Sequence, residues 1–207
     1  MKALLVVDIQ MDFLPGGALE VKEGDKIIPL INELLALPFD YIVATKDWHP
    51  KNHGSFASTH GKKVGEHILL EGADQILWPD HCIQGSKGSE FSESVNTEKI
   101  EDIVYKGREI NIDSYSAFFD NLHRKETTLH TLLKKRGIDT LYIARLVTDY
   151  CVKYSALDAL KLGYQVFVVK EACCAVNLSK GDEKRAFEEM ERAGTHIINF
   201  EDVKGHL

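Results

Sequence analysis

Ala3-Leu4-Leu5-Val6-Val7-Asp8 is a run of aliphatic residues that stops on a carboxylate, and its reading decides the fold. So short an apolar run reads as a buried strand, and Asp8 interrupts it too early for a signal-peptide core or a membrane span. Downstream, residues 26–37 place Ile27, Ile28, Leu30, Ile31, Leu34 and Leu35 at helical spacing before Pro38 stops the pattern. Residues 41–45 are again a short apolar strand. The alternation resumes with a strand at 102–106, a helix at 128–136 closed by Gly137, and a strand at 140–144. A helix at 150–162 ending at Gly163 and a strand at 165–169 follow. A last helix opens at Ser179, with Asp182 three residues on and Gly194 beyond its end, before a final strand at 196–200. Strands alternating with amphipathic helices predict a three-layer α/β/α fold around a central, mainly parallel sheet of about six strands.

Residues 46–97 break this rhythm. They are rich in glycine, histidine and proline, and compact domains seldom spend so much irregular chain without a functional cause. We read them as a site-building insertion within a single domain spanning 1–207. A chain of 207 residues fits one core, since single cores extend to roughly 250 residues. The net charge of −7 would repel a phosphate backbone, and the 25 lysines and arginines are scattered, which argues against nucleic acid as a partner. Four cysteines, Cys82, Cys151, Cys173 and Cys174, read as free thiols of a cytoplasmic protein.

In open parallel sheets ligands bind beyond the carboxyl ends of the strands, so the residues that leave the strands are where chemistry is sought. Those residues are Asp8, Asp47, Lys106 and the segment before Cys151. Cys151 follows an apolar strand in the first turn of a predicted helix, where unpaired N–H groups and the helix dipole favour a thiolate. Lys106 at a strand terminus needs a counter-charge, either Asp8 or a thiolate. Asp8 could take a thiol proton and pass it to a leaving amine. A second cluster comprises Asp47-Trp48-His49-Pro50, His53 and His81. Its oxygen and imidazole donors suit a divalent ion such as Zn²⁺, Fe²⁺ or Mn²⁺.

Several segments together resemble the nicotinamidases of the isochorismatase-like cysteine hydrolases. They are Val6-Val7-Asp8-Ile9-Gln10-Met11-Asp12-Phe13, Pro15-Gly16-Gly17-Ala18-Leu19, Thr45-Lys46-Asp47-Trp48-His49-Pro50 and His53-Gly54-Ser55-Phe56. Trp78-Pro79-Asp80-His81-Cys82, Lys106-Gly107, Asp113-Ser114-Tyr115-Ser116-Ala117-Phe118 and Thr148-Asp149-Tyr150-Cys151-Val152 complete the set. The resemblance implies a catalytic triad of Asp8, Lys106 and Cys151. It implies one divalent metal, zinc first with iron or manganese as alternatives, on Asp47, His49 and His81, with His53 where some members add a ligand. It further implies a nicotinamide pocket lined by Phe13, Leu19, Trp78 and Tyr115, and an oxyanion site at the backbone N–H groups of Val147 and Cys151, shaped by a cis peptide at Leu146-Val147. Nicotinamide would be hydrolysed through a thioester on Cys151 in NAD salvage, and pyrazinamide would be a second substrate. The family usually has glycine where this chain has Arg145.

The alternatives are a cysteine amidohydrolase acting on another small amide, a relative that binds metal or ligand without catalysis, and a redox protein using Cys173-Cys174. Isochorismatase itself does not use a cysteine at the position of Cys151. The oligomeric state, monomer or homo-oligomer, is not encoded in any of these patterns.

Overall fold

The computed structural model describes residues 1–145, 148–173 and 181–207. In chain order the elements are β1 (Lys2–Val7), α1 (Ile28–Ala36), β2 (Tyr41–Asp47), β3 (His67–Leu70), β4 (Ala73–Ile76), β5 (Asp102–Lys106) and α2 (Leu129–Lys135). They continue with β6 (Thr140–Arg145), α3 (Lys153–Lys161), β7 (Gln165–Cys173), α4 (Asp182–Ala193), β8 (His196–Ile198) and α5 (Phe200–His206). Six strands form one sheet in the order β5-β2-β1-β6-β7-β8, and every pairing within it is parallel. The three-layer α/β/α architecture expected from the alternating pattern is the one observed.

Side chains on successive strand residues point to opposite faces, and both faces of this sheet are covered. Leu4 and Val6 of β1 pack with Ile42 and Ala44 of β2 under Ile31, Leu34 and Leu35 of α1 and Phe200 and Val203 of α5. Ala3, Leu5 and Val7 face the other way, toward Leu129 and Leu133 of α2, Ala156 and Ala159 of α3 and Met190 of α4. Among the described residues no helix is long and apolar enough to cross a membrane.

Several boundaries differ from the sequence reading. β2 runs on to Asp47, two residues past the predicted end, because Asp47 pairs with Lys106 of β5. The insertion holds an antiparallel hairpin, β3–β4, where irregular chain was expected. Its single buried residue is the polar Gln75 and its most exposed is Leu69, so its residues carry no apolar alternation to read. The helix predicted at 150–162 begins as α3 only at Lys153, and Cys151 lies in a preceding π-helical turn, Thr148–Val152. α4 starts at Asp182 behind Gly181, whose φ of 87° breaks the helix there; the predicted cap Ser179 lies outside the described residues. The final strand stops at Ile198 because Asn199 caps α5, with a reciprocal hydrogen bond from its own backbone to Asp202. Leu146, Val147 and Cys174 also lie outside the described residues, and with them the expected cis peptide.

Candidate active site

The strand order turns at β1: β2 and β5 are laid down on one side of it, β6, β7 and β8 on the other. Register gathers the carboxyl ends of four strands at one edge, with Val7 opposite both Thr45 and Arg145, and Asp47, two residues beyond Thr45, opposite Lys106. Such a switch point opens a crevice at the sheet edge, and the candidate residues leave the sheet into it.

Asp8 is the first residue past β1 and takes a left-handed backbone at φ 49°, which swings the chain out of the sheet. Its N–H donates to the Thr45 carbonyl at 3.2 Å, and its Oδ1 accepts from Thr45 Oγ1 at 2.6 Å. Its Oδ2 lies 3.0 Å from Nζ of Lys106. That ammonium is fully buried and needs compensating charge. It also pairs with Oδ1 of Asp47, donates to the Ser114 carbonyl at 3.0 Å, and stands 3.7 Å from Sγ of Cys151. One lysine thus joins the β1 carboxylate, the β2 carboxylate and the cysteine. Cys82 and Cys151 are buried free thiols.

Beside this triad, donor atoms of Asp47, His49 and His81 lie within 4.8 Å of one another. Nδ1 of His49 is hydrogen-bonded to the Gly107 carbonyl at 2.8 Å and Nδ1 of His81 to the Pro79 carbonyl at 2.8 Å. A carbonyl can only accept, so both Nδ1 atoms carry the proton and both Nε2 lone pairs remain available. Nε2 of His49 lies 4.0 Å from Oδ2 of Asp47. Burial pushes the His49 imidazole down to about 3, against the opposing pull of the Asp47 carboxylate, so it is neutral at ordinary pH. Two buried imidazoles that each give Nδ1–H to a carbonyl and leave Nε2 to face an ion, with a buried carboxylate beside them, fit a divalent transition-metal ion.

His53 is placed differently. It groups with His49 and Asp113 rather than with Asp47 and His81. Its Nε2 lies 3.2 Å from the Ile112 carbonyl and its Nδ1 2.8 Å from Oγ of Ser55. The carbonyl requires a proton on Nε2, so Nδ1 is the acceptor and both nitrogens are engaged within the protein. The ring packs against that of His49 with centroids 4.3 Å apart.

A small cavity, about 30 Å³ in this structure, joins the two clusters. All four side chains expected in the pocket, Phe13, Leu19, Trp78 and Tyr115, line it, together with Asp47, His49, His81 and Cys151. The Tyr115 hydroxyl accepts from Gln75 Nε2 at 2.9 Å and Trp78 Nε1 at 3.3 Å, which fixes two aromatic walls against each other. Burial raises the Tyr115 phenol well above its ordinary range, so it stays neutral. Asp113, Ser114 and Tyr150 also line the cavity and were not singled out from sequence. The ring of Tyr150 meets those of Trp78 and Tyr115 at 5.1 and 5.3 Å. Its position next to Cys151, and that of Asp113-Ser114 next to Tyr115, were the available signals.

Comparison with known proteins follows the same lines. The model of the isochorismatase domain matches residues 2–202. A nicotinamidase of Escherichia coli strain K12 is 44% identical over 204 residues, covering 97% of this chain and 96% of that protein. The structure of an Acinetobacter baumanii nicotinamidase/pyrazinamidase superposes with a TM-score of 0.94 at 44% identity, covering 98% of this chain and 97% of the other. A pyrazinamidase of Pyrococcus horikoshii, solved in complex with zinc, superposes with a TM-score of 0.77 at 38% identity, covering 96% and 98%. With the family model matching residues 2–202 and 44% identity to a relative over nearly its whole length, the chain belongs to the isochorismatase family.

Proposed function

We propose that this protein is an amide hydrolase that converts nicotinamide to nicotinate and ammonia through a thioester on Cys151, and that it also accepts pyrazinamide. The observation that carries this reading is the shared cavity, with a cysteine beside a buried lysine in one wall, a metal-ligand group in another, and aromatic walls between. A flat heteroaromatic ring with a carboxamide on one side and a ring nitrogen on another has the chemistry to use all three. The 44% identity to a nicotinamidase supports the same substrate.

In the proposed reaction Asp8 accepts the thiol proton of Cys151, and the thiolate attacks the carboxamide carbon. Lys106, paired with Asp8 and 3.7 Å from the sulfur, stabilises negative charge on both. The tetrahedral oxyanion is received by the backbone N–H groups of Val147 and Cys151. Collapse expels ammonia, which takes its proton from Asp8, and leaves the thioester. Water, deprotonated by Asp8, then attacks the thioester and releases nicotinate and the thiol. Asp47, His49 and His81 would hold one divalent ion, zinc by preference over iron or manganese, which supplies a Lewis-acidic partner for a ring nitrogen. His53 supports the His49 ring in this assignment.

We place this chemistry in one cytoplasmic domain spanning 1–207, in NAD salvage, with a small molecule rather than nucleic acid or membrane as its partner. Ammonia release from nicotinamide, measured on wild type and Cys151→Ala side by side, tests it. The variant should retain the fold and lose turnover. Equal turnover in both, or none in the metal-loaded wild type, would overturn the reading in favour of a non-catalytic relative or another amide.

A further inference from the structure

Between β1 and the first wall of the cavity the chain alternates Asp8-Ile9-Gln10-Met11-Asp12-Phe13. Asp8 and Phe13 already have places in the site, whereas Gln10 and Asp12 touch neither the cavity nor the cysteine. Gln10 is fully buried, and its side-chain amide is spent on the backbone of Asp47 and Ser89. Its Oε1 accepts from the N–H of Asp47 at 2.8 Å, and its Nε2 donates to the carbonyl of Asp47 at 2.8 Å and to that of Ser89 at 2.9 Å. β1 leaves the sheet at Val7, two positions short of where β2 ends. On that side the Asp47 peptide groups have no strand to pair with, and the amide of Gln10 replaces the missing one.

Asp12 performs the same service at the other side of the metal-ligand group. Its Oδ2 accepts from the N–H of Cys82 at 2.7 Å, the peptide that directly follows His81, and its Oδ1 accepts from the N–H of Ala18 at 3.3 Å. Cys82 sits at φ 45°, a conformation that a non-glycine residue holds only when its surroundings impose it. The carboxylate is itself locked: a Cβ on Gly88 would fall 2.2 Å from its Oδ2.

We propose that Gln10 and Asp12 are positioning residues that assemble the metal-ligand group before any ion arrives, Gln10 by fixing the backbone of Asp47 and Asp12 by fixing the peptide behind His81. The inference rests on the reading of Asp47, His49 and His81 as metal ligands. Partners that orient ligands in this way typically change metal affinity by roughly 10- to 100-fold when removed.

The test uses near-isosteric variants. Gln10→Met keeps the length and loses all three hydrogen bonds. Asp12→Asn keeps the shape but offers one acceptor to two N–H groups. Zn²⁺ affinity is measured by competition with a chromophoric chelator, and the visible absorption of Co²⁺-loaded protein reports ligand geometry, which a general loss of stability would not alter. Each variant should bind Zn²⁺ about 10- to 100-fold more weakly than wild type and show a changed Co²⁺ spectrum, while metal-free samples remain folded by circular dichroism. Wild-type affinity with an unchanged spectrum in both variants would overturn the inference. If Gln10→Met fails to fold, Asp12→Asn alone decides by the same two readings. A wild type that binds neither ion would instead overturn the metal-site reading, and the positioning roles with it.

Discussion

Lys106 concentrates the physical logic of the site in one ammonium. It is fully buried between the carboxylates of Asp8 and Asp47, and neither carboxylate is more than 6% exposed. Replacing it by methionine would keep much of the volume and leave two negative charges facing each other without a cation. Removing one partner from a buried ionic group typically costs about 3–5 kcal/mol. Lys106→Met should therefore lower unfolding free energy by about that amount in urea titration, and should abolish ammonia release even at temperatures where it is folded. Retained stability would mean that the carboxylates share a proton without it. The residues of this cluster were legible because each breaks a local rule: an aspartate ending an aliphatic run, a lysine ending a strand, a cysteine just past a strand end. Gln10 and Asp12 break no local rule. Their partners lie 37 and 70 residues away, and only the tertiary structure reveals what they hold.

Elements show the same division. The core strands and helices follow from apolar periodicity because both faces of the sheet are covered, so burial writes itself into the sequence. The β3–β4 hairpin buries only the polar Gln75, and nothing in its hydropathy marks it. The π-helical turn holding Cys151 shares its composition with an ordinary first helical turn, so the sequence suggested an α-helix there. At the C-terminal end the signal was present but unread: Asn199 and Asp202 have the spacing of a capping box, and Phe200 and Val203 are buried. The Asn199 side chain accepts from the N–H of Asp202 while the Asp202 carboxylate accepts from the N–H of Asn199 at 3.1 Å. Asn199→Ala removes half of that exchange and should cost about 1 kcal/mol in chemical denaturation. Turnover should be unchanged, because α5 packs on the opposite face of the sheet from α2, α3 and α4. A loss of activity larger than the loss of stability would show that α5 reaches the site.

At the scale of the whole molecule, strand order explains why residues so distant in sequence meet. The turn of the order at β1 gathers the exits of β1, β2, β5 and β6, and burial of that junction sets the state of its titratable groups. An imidazole in the unfolded chain titrates near 6.5, whereas burial holds His49 down to about 3 in the folded protein. Between those values the unfolded state binds a proton that the folded state refuses. The stability this group permits is therefore fully present above about pH 6.5 and is lost as pH falls toward 3, with a slope of up to about 1.4 kcal/mol per pH unit from this one site. Urea midpoints of metal-free protein at a series of pH values from 7.5 to 4 should fall along this slope, roughly as one proton requires. His49→Gln has no imidazole to protonate, so its midpoints should fall less steeply over the same range. Parallel curves for the two proteins would mean that His49 accepts a proton in the folded state at ordinary pH, and would remove the neutral donor on which the metal-ligand group depends.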